Sequence, residues 1–221
     1  MPPEPGYDGL LNACRAVQLD ILGAFHPEPG DKTPDGCGTL VLLGPREPGF
    51  WAAFTQSPEY RAGTAHPLDR WSDRIIRALA ARVQAGALFP FGGPPYQPFI
   101  AWALRSGRAW QSPAGPLVHD SAGMMVSYRG ALALRERMPL PELPLCPCDT
   151  CADRSCVSTC PVGALRRDKG YDVAACHSYL DTDAGTDCMT RGCRARRACP
   201  VSKNYGRLEP QSAFHMKAFH P

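Results

Sequence analysis

Cysteine placement is the feature that most constrains this sequence. Nine of its eleven cysteines lie between Cys146 and Cys199, and only Cys14 and Cys37 lie outside that segment. Disulfide scaffolds occur mainly in small secreted domains, whereas clustered cysteines in an intracellular chain more often bind metal. The start of the chain has neither the basic nor the apolar region of a secretory signal. The sequence therefore predicts a thiolate metal site in a cytoplasmic protein.

Hydropathy and charge exclude some classes and leave others open. The longest apolar run, Leu40–Leu43, is far short of the ~18 residues that a membrane span needs, so no membrane association is expected. Lys and Arg number 24 against 21 Asp and Glu, a net charge of +3. This charge permits a nucleic-acid partner but provides no large basic excess to support one.

A change in composition near residue 139 predicts two domains. The junction, residues 138–145, alternates proline with other residues and is typical of an extended spacer. We expect a mixed α/β domain over 1–139 and a cysteine-rich domain over 140–221, which makes the fold class α+β. Hydrophobic spacing and turn residues predict helices over 8–18, 67–84 and 97–106, strands over 38–43, 87–91 and 131–134 (the last with helix as the alternative), and a hairpin of 117–119 with 124–128.

The cysteine spacing is typical of iron–sulfur ligands. The first run is Cys148-x2-Cys151-x4-Cys156-x3-Cys160-Pro161, which differs by two inserted residues from the bacterial ferredoxin run, whose fourth cysteine ligates the other cluster. A second Cys-Pro-Val, at Cys199, indicates two pseudo-symmetric halves that exchange their last ligands. Cluster 1 is then held by Cys148, Cys151, Cys156 and Cys199, and cluster 2 by Cys160, Cys176, Cys188 and Cys193.

Other interpretations of the cysteines stay open. Structural zinc takes four nitrogen or sulfur ligands and commonly uses paired C-x2-C knuckles, but only Cys148 and Cys151 have that spacing here. A single cubane with spare cysteines is another alternative.

Residues 162–165 are expected to open a short helix whose positive end faces a cluster. Four arginines around Cys193 are interpreted as charge compensation, or else as a docking patch for an electron donor.

The cysteine block resembles the double [4Fe-4S] ferredoxin-type module of epoxyqueuosine reductases. The resemblance covers residues 146–203 and includes the Cys176-His-Ser-Tyr-Leu segment and the closing Cys188, Cys193 and Cys199-Pro200. It implies a ferredoxin-like module with two [4Fe-4S] clusters, oxidoreductase chemistry, cobalamin as a candidate cofactor and tRNA as a candidate partner. It implies that 1–139 is a degenerate corrinoid-reductase-like domain, and we expect the family's C-terminal helical-repeat domain to be absent. Inserted residues leave Cys146 as an alternative to Cys148.

Two functional hypotheses follow for the whole chain. In the first, it is an iron–sulfur electron-transfer protein that exchanges electrons with a redox partner protein. In the second, it is a reductase whose N-terminal domain binds a corrinoid, a flavin or a small substrate and receives electrons from the clusters. A structural zinc module is the third class. No catalytic residue is identified from the sequence.

Overall fold

Helices and short antiparallel strands alternate through residues 6–221, the part of the chain that the computed structural model describes, so the fold is α+β. These residues divide into two compact units. The first consists of the chain up to Arg108 together with Ser127–Pro144, and the second consists of Ala109–Val126 and Leu145–Pro221. The chain therefore leaves the first unit at residue 109, returns at 127 and leaves again at 145.

The first unit is built on a four-stranded antiparallel sheet. Its strands are β1 (Leu19–Phe25), β2 (Thr39–Pro45), β3 (Gly86–Leu88) and β6 (Gly130–Leu134), in the order β1-β2-β6-β3. Every residue of β2 and β6 is buried, as expected for apolar runs such as Leu40–Leu43 at the centre of a sheet. The register of β1 shifts between Ile21 and Ala24, which accommodates Gly23 at φ +151°.

Five helices complete the described part of this unit. They are α1 (Tyr7–Arg15), α2 (Gly49–Thr55), α3 (Pro58–Arg61), α4 (Pro67–Arg82) and α5 (Phe99–Arg105). Helix α4 begins at a proline, which is tolerated there because the first helical N–H has no intrahelical partner. Its apolar stripe, which includes Trp71, Ile76 and Leu79, is buried, so the helical spacing in the sequence marks a core-facing side.

The second unit has little sheet and many short helices. Strands β4 (Ala109–Gln111) and β5 (Leu117–His119) form one hairpin, and β7 (Leu165–Arg166) and β8 (Gly170–Tyr171) form another. The helices are α6 (Val173–Leu180), α7 (Thr186–Arg191), α8 (Arg194–Ala198), α9 (Pro200–Asn204) and α10 (Glu209–Phe219), with a single 3₁₀ turn at Asp183–Gly185. Helix α10 packs against α7.

Two local predictions are wrong. Leu117–His119 pairs with Ala109–Gln111, which precedes it in the sequence. Residues 124–128, the predicted partner, form no strand. Only one isolated bridge, between His119 and Gly123, forms on the other side. Residues 162–165 do not open a helix: Gly163 has φ +60°, which ends the turn, and Leu165 enters β7. Elsewhere the helices near 8–18, 67–84 and 97–106 and the strands near 38–43 and 131–134 are found, while the strand expected over 87–91 ends at Leu88.

The domain boundary expected after residue 139 falls close to the last crossing between the units. Residues 137–146 form neither helix nor strand. The structure adds that residues 109–126 belong to the second unit, together with the cysteine block. Within residues 6–221, no helix is both long enough and apolar enough to cross a membrane.

Candidate metal centre

The eight predicted ligands line two cavities in the second unit. The first cavity has a volume of about 460 Å³ and is lined by Cys148, Cys151, Cys156 and Cys199. The second has a volume of about 500 Å³ and is lined by Cys160, Cys176, Cys188 and Cys193. The two sets of four are the same two sets that the Cys-Pro-Val repeat predicts, although their members come from distant parts of the sequence.

Local backbone structure brings the thiols of the first cavity together. Cys148, Cys151 and Cys156 lie in a loop of turns between residues 147 and 158, while Cys199 immediately precedes α9. Pro200 occupies the first position of that helix, where its missing N–H costs nothing. The Cys-Pro step thus ends α8 and starts α9, with the sulfur-bearing residue at the corner.

The thiols of the second cavity come from four different elements. Cys160 lies in the turn before β7, Cys176 lies in α6, Cys188 lies in α7, and Cys193 caps α8. Between the last two, Gly192 has φ +89°, a conformation that favours glycine. A Cβ at this position would also meet the side chain of Ser212 in α10, so the turn that separates Cys188 from Cys193 requires glycine.

Backbone amides point at several of the sulfurs. The N–H of Ala164 donates to Cys160 Sγ over 3.3 Å. Burial raises the pKa of Cys156 and of Cys188, and a backbone hydrogen bond from Ala114 to the first thiol and one from Arg194 to the second oppose that rise. Amide donors around sulfur are typical of iron–sulfur sites, where they stabilise negative charge.

Burial and crowding of the thiols make both cavities unfavourable for thiolates. Burial, followed by the neighbouring Cys146 thiol, raises the pKa of Cys148 to about 12. The pKa of Cys176 is also raised, mainly by burial, with Cys193 and Cys160 contributing and a hydrogen bond from Tyr171 opposing. Like charges in a buried site disfavour one another, so four thiolates in one cavity require a cation. Metal binding supplies that charge and releases the protons.

Cys146 lies beside Cys148 but is not among the residues that line the first cavity. The geometry therefore favours Cys148 as the ligand.

Cys14 and Cys37 belong to the first unit, where Cys14 is fully buried in the core. No disulfide joins any of the eleven cysteines, all of which the structure describes.

Part of the wall of each cavity was not anticipated from the sequence. Val118 of β5 and Met124, which follows the hairpin, line the first cavity, and α10 contributes His215 and Phe219 to the second. Val118, Met124, Cys156 and Cys199 belong to one buried apolar cluster. The alternation of apolar residues in 109–126 carried a strand signal, but nothing in it indicated which unit the strands would join.

Asp187 accepts hydrogen bonds from three of the four arginines around Cys193. It accepts hydrogen bonds from Arg194 at 2.7 Å, from Arg191 at 3.3 Å, and from Arg197. Burial opposes ionisation of Asp187, but hydrogen bonds from Arg194 and Arg197 outweigh it and lower the pKa of the carboxyl. Arg194 and Arg197 thus hold α8 to α7, whereas Arg191 binds Asp187 within α7. The fourth arginine, Arg196, lines the second cavity.

We expect Asp187→Asn to destabilise the protein by about 1 kcal/mol, the scale of a charged hydrogen bond reduced by solvent screening. The amide cannot neutralise the arginines that converge on it. Thermal unfolding monitored by circular dichroism measures the change. Asp168→Asn is the matched control, because Asp168 pairs only locally with the exposed Arg166, and it should leave the melting temperature unchanged. Equal melting temperatures for Asp187→Asn and the wild type would show that Asp187 does not stabilise the protein through its arginine partners.

Within residues 6–221, no three His, Cys, Asp or Glu side chains gather closely enough to hold a single metal ion. The thiols instead stand around two cavities.

Comparison with known proteins finds no protein-family model that matches this chain and no matching curated protein.

Proposed function

We propose that the second unit is a ferredoxin-type module that binds two [4Fe-4S] clusters, and that the chain is an iron–sulfur electron-transfer protein. The observation that carries this proposal is the sorting of eight cysteines into two cavities, four in each. Each cavity takes ligands from both halves of the cysteine block. Such an exchange of ligands is typical of two-cluster ferredoxins, in which the cysteine before proline ligates the other cluster.

The residues present fit such a group in number, chemistry and space. Four thiols per cavity match the Cys₄ ligand set of a [4Fe-4S] cluster. The iron atoms of a cubane sit at alternate corners, so its ligands stand farther apart than the four sulfurs that surround one zinc ion at about 2.3 Å each. Cavities of about 460 and 500 Å³ have room for the larger group.

A bound [4Fe-4S] cluster supplies one-electron redox chemistry. The protein holds each cluster through four thiolates, and its amide donors at Cys156, Cys160 and Cys188 lower the energy of added negative charge. Apolar walls, including Val118 and Met124, limit the access of water. Burial and hydrogen bonding are the means by which a protein sets a cluster potential.

The two cavities adjoin the same apolar cluster. Cys156 and Cys199 of the first cavity belong to that cluster, and Cys193 of the second packs against it. An electron that passes between the sites therefore crosses a shared, water-poor wall. A carrier of this kind needs a partner protein that donates electrons and one that accepts them. Val162 and Tyr171, which line the second cavity, are 41% and 43% exposed and offer one approach.

The protein purified or reconstituted without oxygen should contain about eight iron and eight sulfide per chain. Its absorption spectrum should show the broad visible band of iron–sulfur clusters, bleached on reduction. Colorimetric iron and sulfide assays and elemental analysis for zinc measure this directly. About one zinc per cavity with no sulfide would establish the structural zinc alternative, and about four iron would establish a single cubane.

A further inference from the structure

The exposed edge of the second cavity combines apolar and basic side chains. Val162 and Tyr171, which line this cavity, are 41% and 43% exposed. Between them in sequence, the turn of the β7–β8 hairpin carries Arg167 and Lys169, both of which are exposed. Arg196, which is also exposed, lines the same cavity from α8. We call these five residues the basic rim.

The cations of the basic rim are not neutralised by acidic side chains. Within residues 6–221, no ion pair joins any of the three to a carboxylate. Asp168, the one acid in the hairpin turn, binds Arg166 at 3.0 Å. Asp172, the next acid along the chain, accepts the hydrogen bond that caps α6. Asp187 instead binds the other three arginines around Cys193, so the positive charge of the basic rim is available to a partner.

Compensation of cluster charge does not account for this arrangement. An oxidised cluster with four thiolates carries about −2, and this charge would be the same in both cavities. The loop around the first cavity, residues 147–158, has three charged side chains, all exposed, which are Asp149, Asp153 and Arg154. An excess of acids therefore borders the first cavity, whereas an excess of cations borders the second. The difference favours recognition of a charged partner at the second cavity.

We propose that the basic rim is the docking surface for an acidic redox protein that exchanges single electrons with the cluster in the second cavity. This inference rests on the proposed function, since it requires a cluster in that cavity. Opposite charges on two proteins increase the rate at which they associate. Val162 and Tyr171 provide the apolar centre that a protein interface buries inside a polar border. In the exchange, one electron leaves the reduced centre and reduces the oxidised one, and no bond forms or breaks.

Nucleic acid is the other polyanion that a basic surface could bind. Salt-dependent binding to DNA typically involves about 6–10 phosphate contacts, each of which needs a donor or a cation. The basic rim offers three cations around two apolar side chains, and the net charge of +3 provides no larger excess. The composition of the surface therefore favours an acidic protein.

The test measures how fast the dithionite-reduced protein passes electrons to plastocyanin, an acidic acceptor, and to cytochrome c, a basic one. Arg167→Glu/Lys169→Glu reverses two charges of the basic rim. Arg154→Glu/Lys203→Glu changes the net charge equally at exposed residues outside it. In stopped-flow experiments at an ionic strength of ~0.1 M, the first double variant should slow oxidation by plastocyanin at least ~tenfold, and the second less than ~threefold. The first should not slow oxidation by cytochrome c.

Iron analysis of each protein separates this inference from the proposed function. Wild-type protein that binds no iron would overturn the proposed function. Iron-loaded Arg167→Glu/Lys169→Glu that reacts with plastocyanin at the wild-type rate, or no more slowly than Arg154→Glu/Lys203→Glu, would overturn only the docking surface. Should the first double variant fail to bind iron, Arg167→Gln/Lys169→Gln replaces it and should slow plastocyanin but not cytochrome c.

Unfractionated tRNA is the probe for the nucleic-acid alternative. We expect it to bind the wild type and Arg167→Glu/Lys169→Glu equally weakly at an ionic strength of ~0.15 M, where exposed charges are screened beyond ~8 Å. Gel-shift titration measures both affinities. Tight binding of tRNA to the wild type that is lost in this double variant would assign the basic rim to nucleic acid and overturn the proposal.

Discussion

Cys156→Ser and Cys193→Ser should each retain only about half of the wild-type iron, because each removes one of the four thiolates around a different cavity. Serine preserves the size of the side chain but not the soft sulfur donor that iron–sulfur clusters require. The measurement is iron and sulfide per chain after anaerobic reconstitution. Each single variant should also keep the EPR signal of the cluster that it does not touch.

Double variants distinguish the exchanged ligand sets from two sets that are each continuous in sequence. Cys156→Ser with Cys199→Ser removes two ligands of one cavity, although 43 positions separate them, and should lose no more iron than Cys156→Ser alone. Cys156→Ser with Cys160→Ser affects both cavities and should lose nearly all of the iron. Continuous sets predict the reverse result for both doubles.

Cysteines outside the cavities provide the controls. Cys14→Ser changes a thiol in the core of the first unit and should leave the iron content unchanged. Cys146→Ser tests the one alternative ligand, since this thiol lies beside Cys148 but does not line the first cavity. Loss of iron in Cys146→Ser but not in Cys148→Ser would assign the first ligand to Cys146.

The grouping of the cysteines was predictable from the sequence because a repeated Cys-Pro-Val step marks it. Each Cys-Pro step turns the chain directly after a sulfur, and the repeat of that step at Cys160 and Cys199 predicts two equivalent corners. Helix α4 was accessible for a similar reason, since its apolar residues recur at a spacing that the neighbouring helical turns impose.

The walls of the cavities depend on contacts between residues that are far apart in sequence. Met124 donates its N–H to Ser202 Oγ over 2.9 Å across 78 positions, and the Arg207 guanidinium donates to the Met125 carbonyl. Such pairings leave no periodic pattern in either segment, so residues 109–126 could not be assigned to the cysteine unit from the sequence. The hairpin was misplaced for a local reason, because the sequence pattern marked 124–128 and not Ala109–Gln111 as the partner of Leu117–His119.

Strand β1 shows a different limit. Its Leu-Asp-Ile-Leu-Gly-Ala-Phe sequence contains both a charge and a glycine, which weakens the alternation that marks a strand. The glycine is needed at the register shift, where a Cβ would meet the Ser106 side chain.

Binding of a corrinoid, a flavin or a small substrate by the first unit stays a prediction, which co-purification and loading experiments can test.

Removal of iron should unfold the second unit and leave the first folded. Cys156 and Cys199 are themselves part of the apolar cluster of the second unit, so the proposed metal site shares residues with the core of that unit. Structural Zn²⁺ in zinc-finger peptides, the reference case of a domain that folds around its metal, contributes about 10–16 kcal/mol. That is as large as the ~5–15 kcal/mol by which a whole domain is usually stable. The four-stranded sheet of the first unit contains none of the eight predicted ligands.

Hydrogen exchange read by mass spectrometry resolves the two units. In the iron-loaded protein, peptides that span α7–α9 should exchange slowly, and after removal of iron under reducing conditions they should exchange at the rate of an unfolded chain. Peptides from β2 and β6, which are buried along their whole length, should remain protected in both states. The Cys156→Ser/Cys160→Ser double variant, which should not bind iron, provides the same comparison without a chelator. Continued protection of α7–α9 in iron-free protein would show that the short helices hold together without the clusters, and that the cysteines are not needed for the fold.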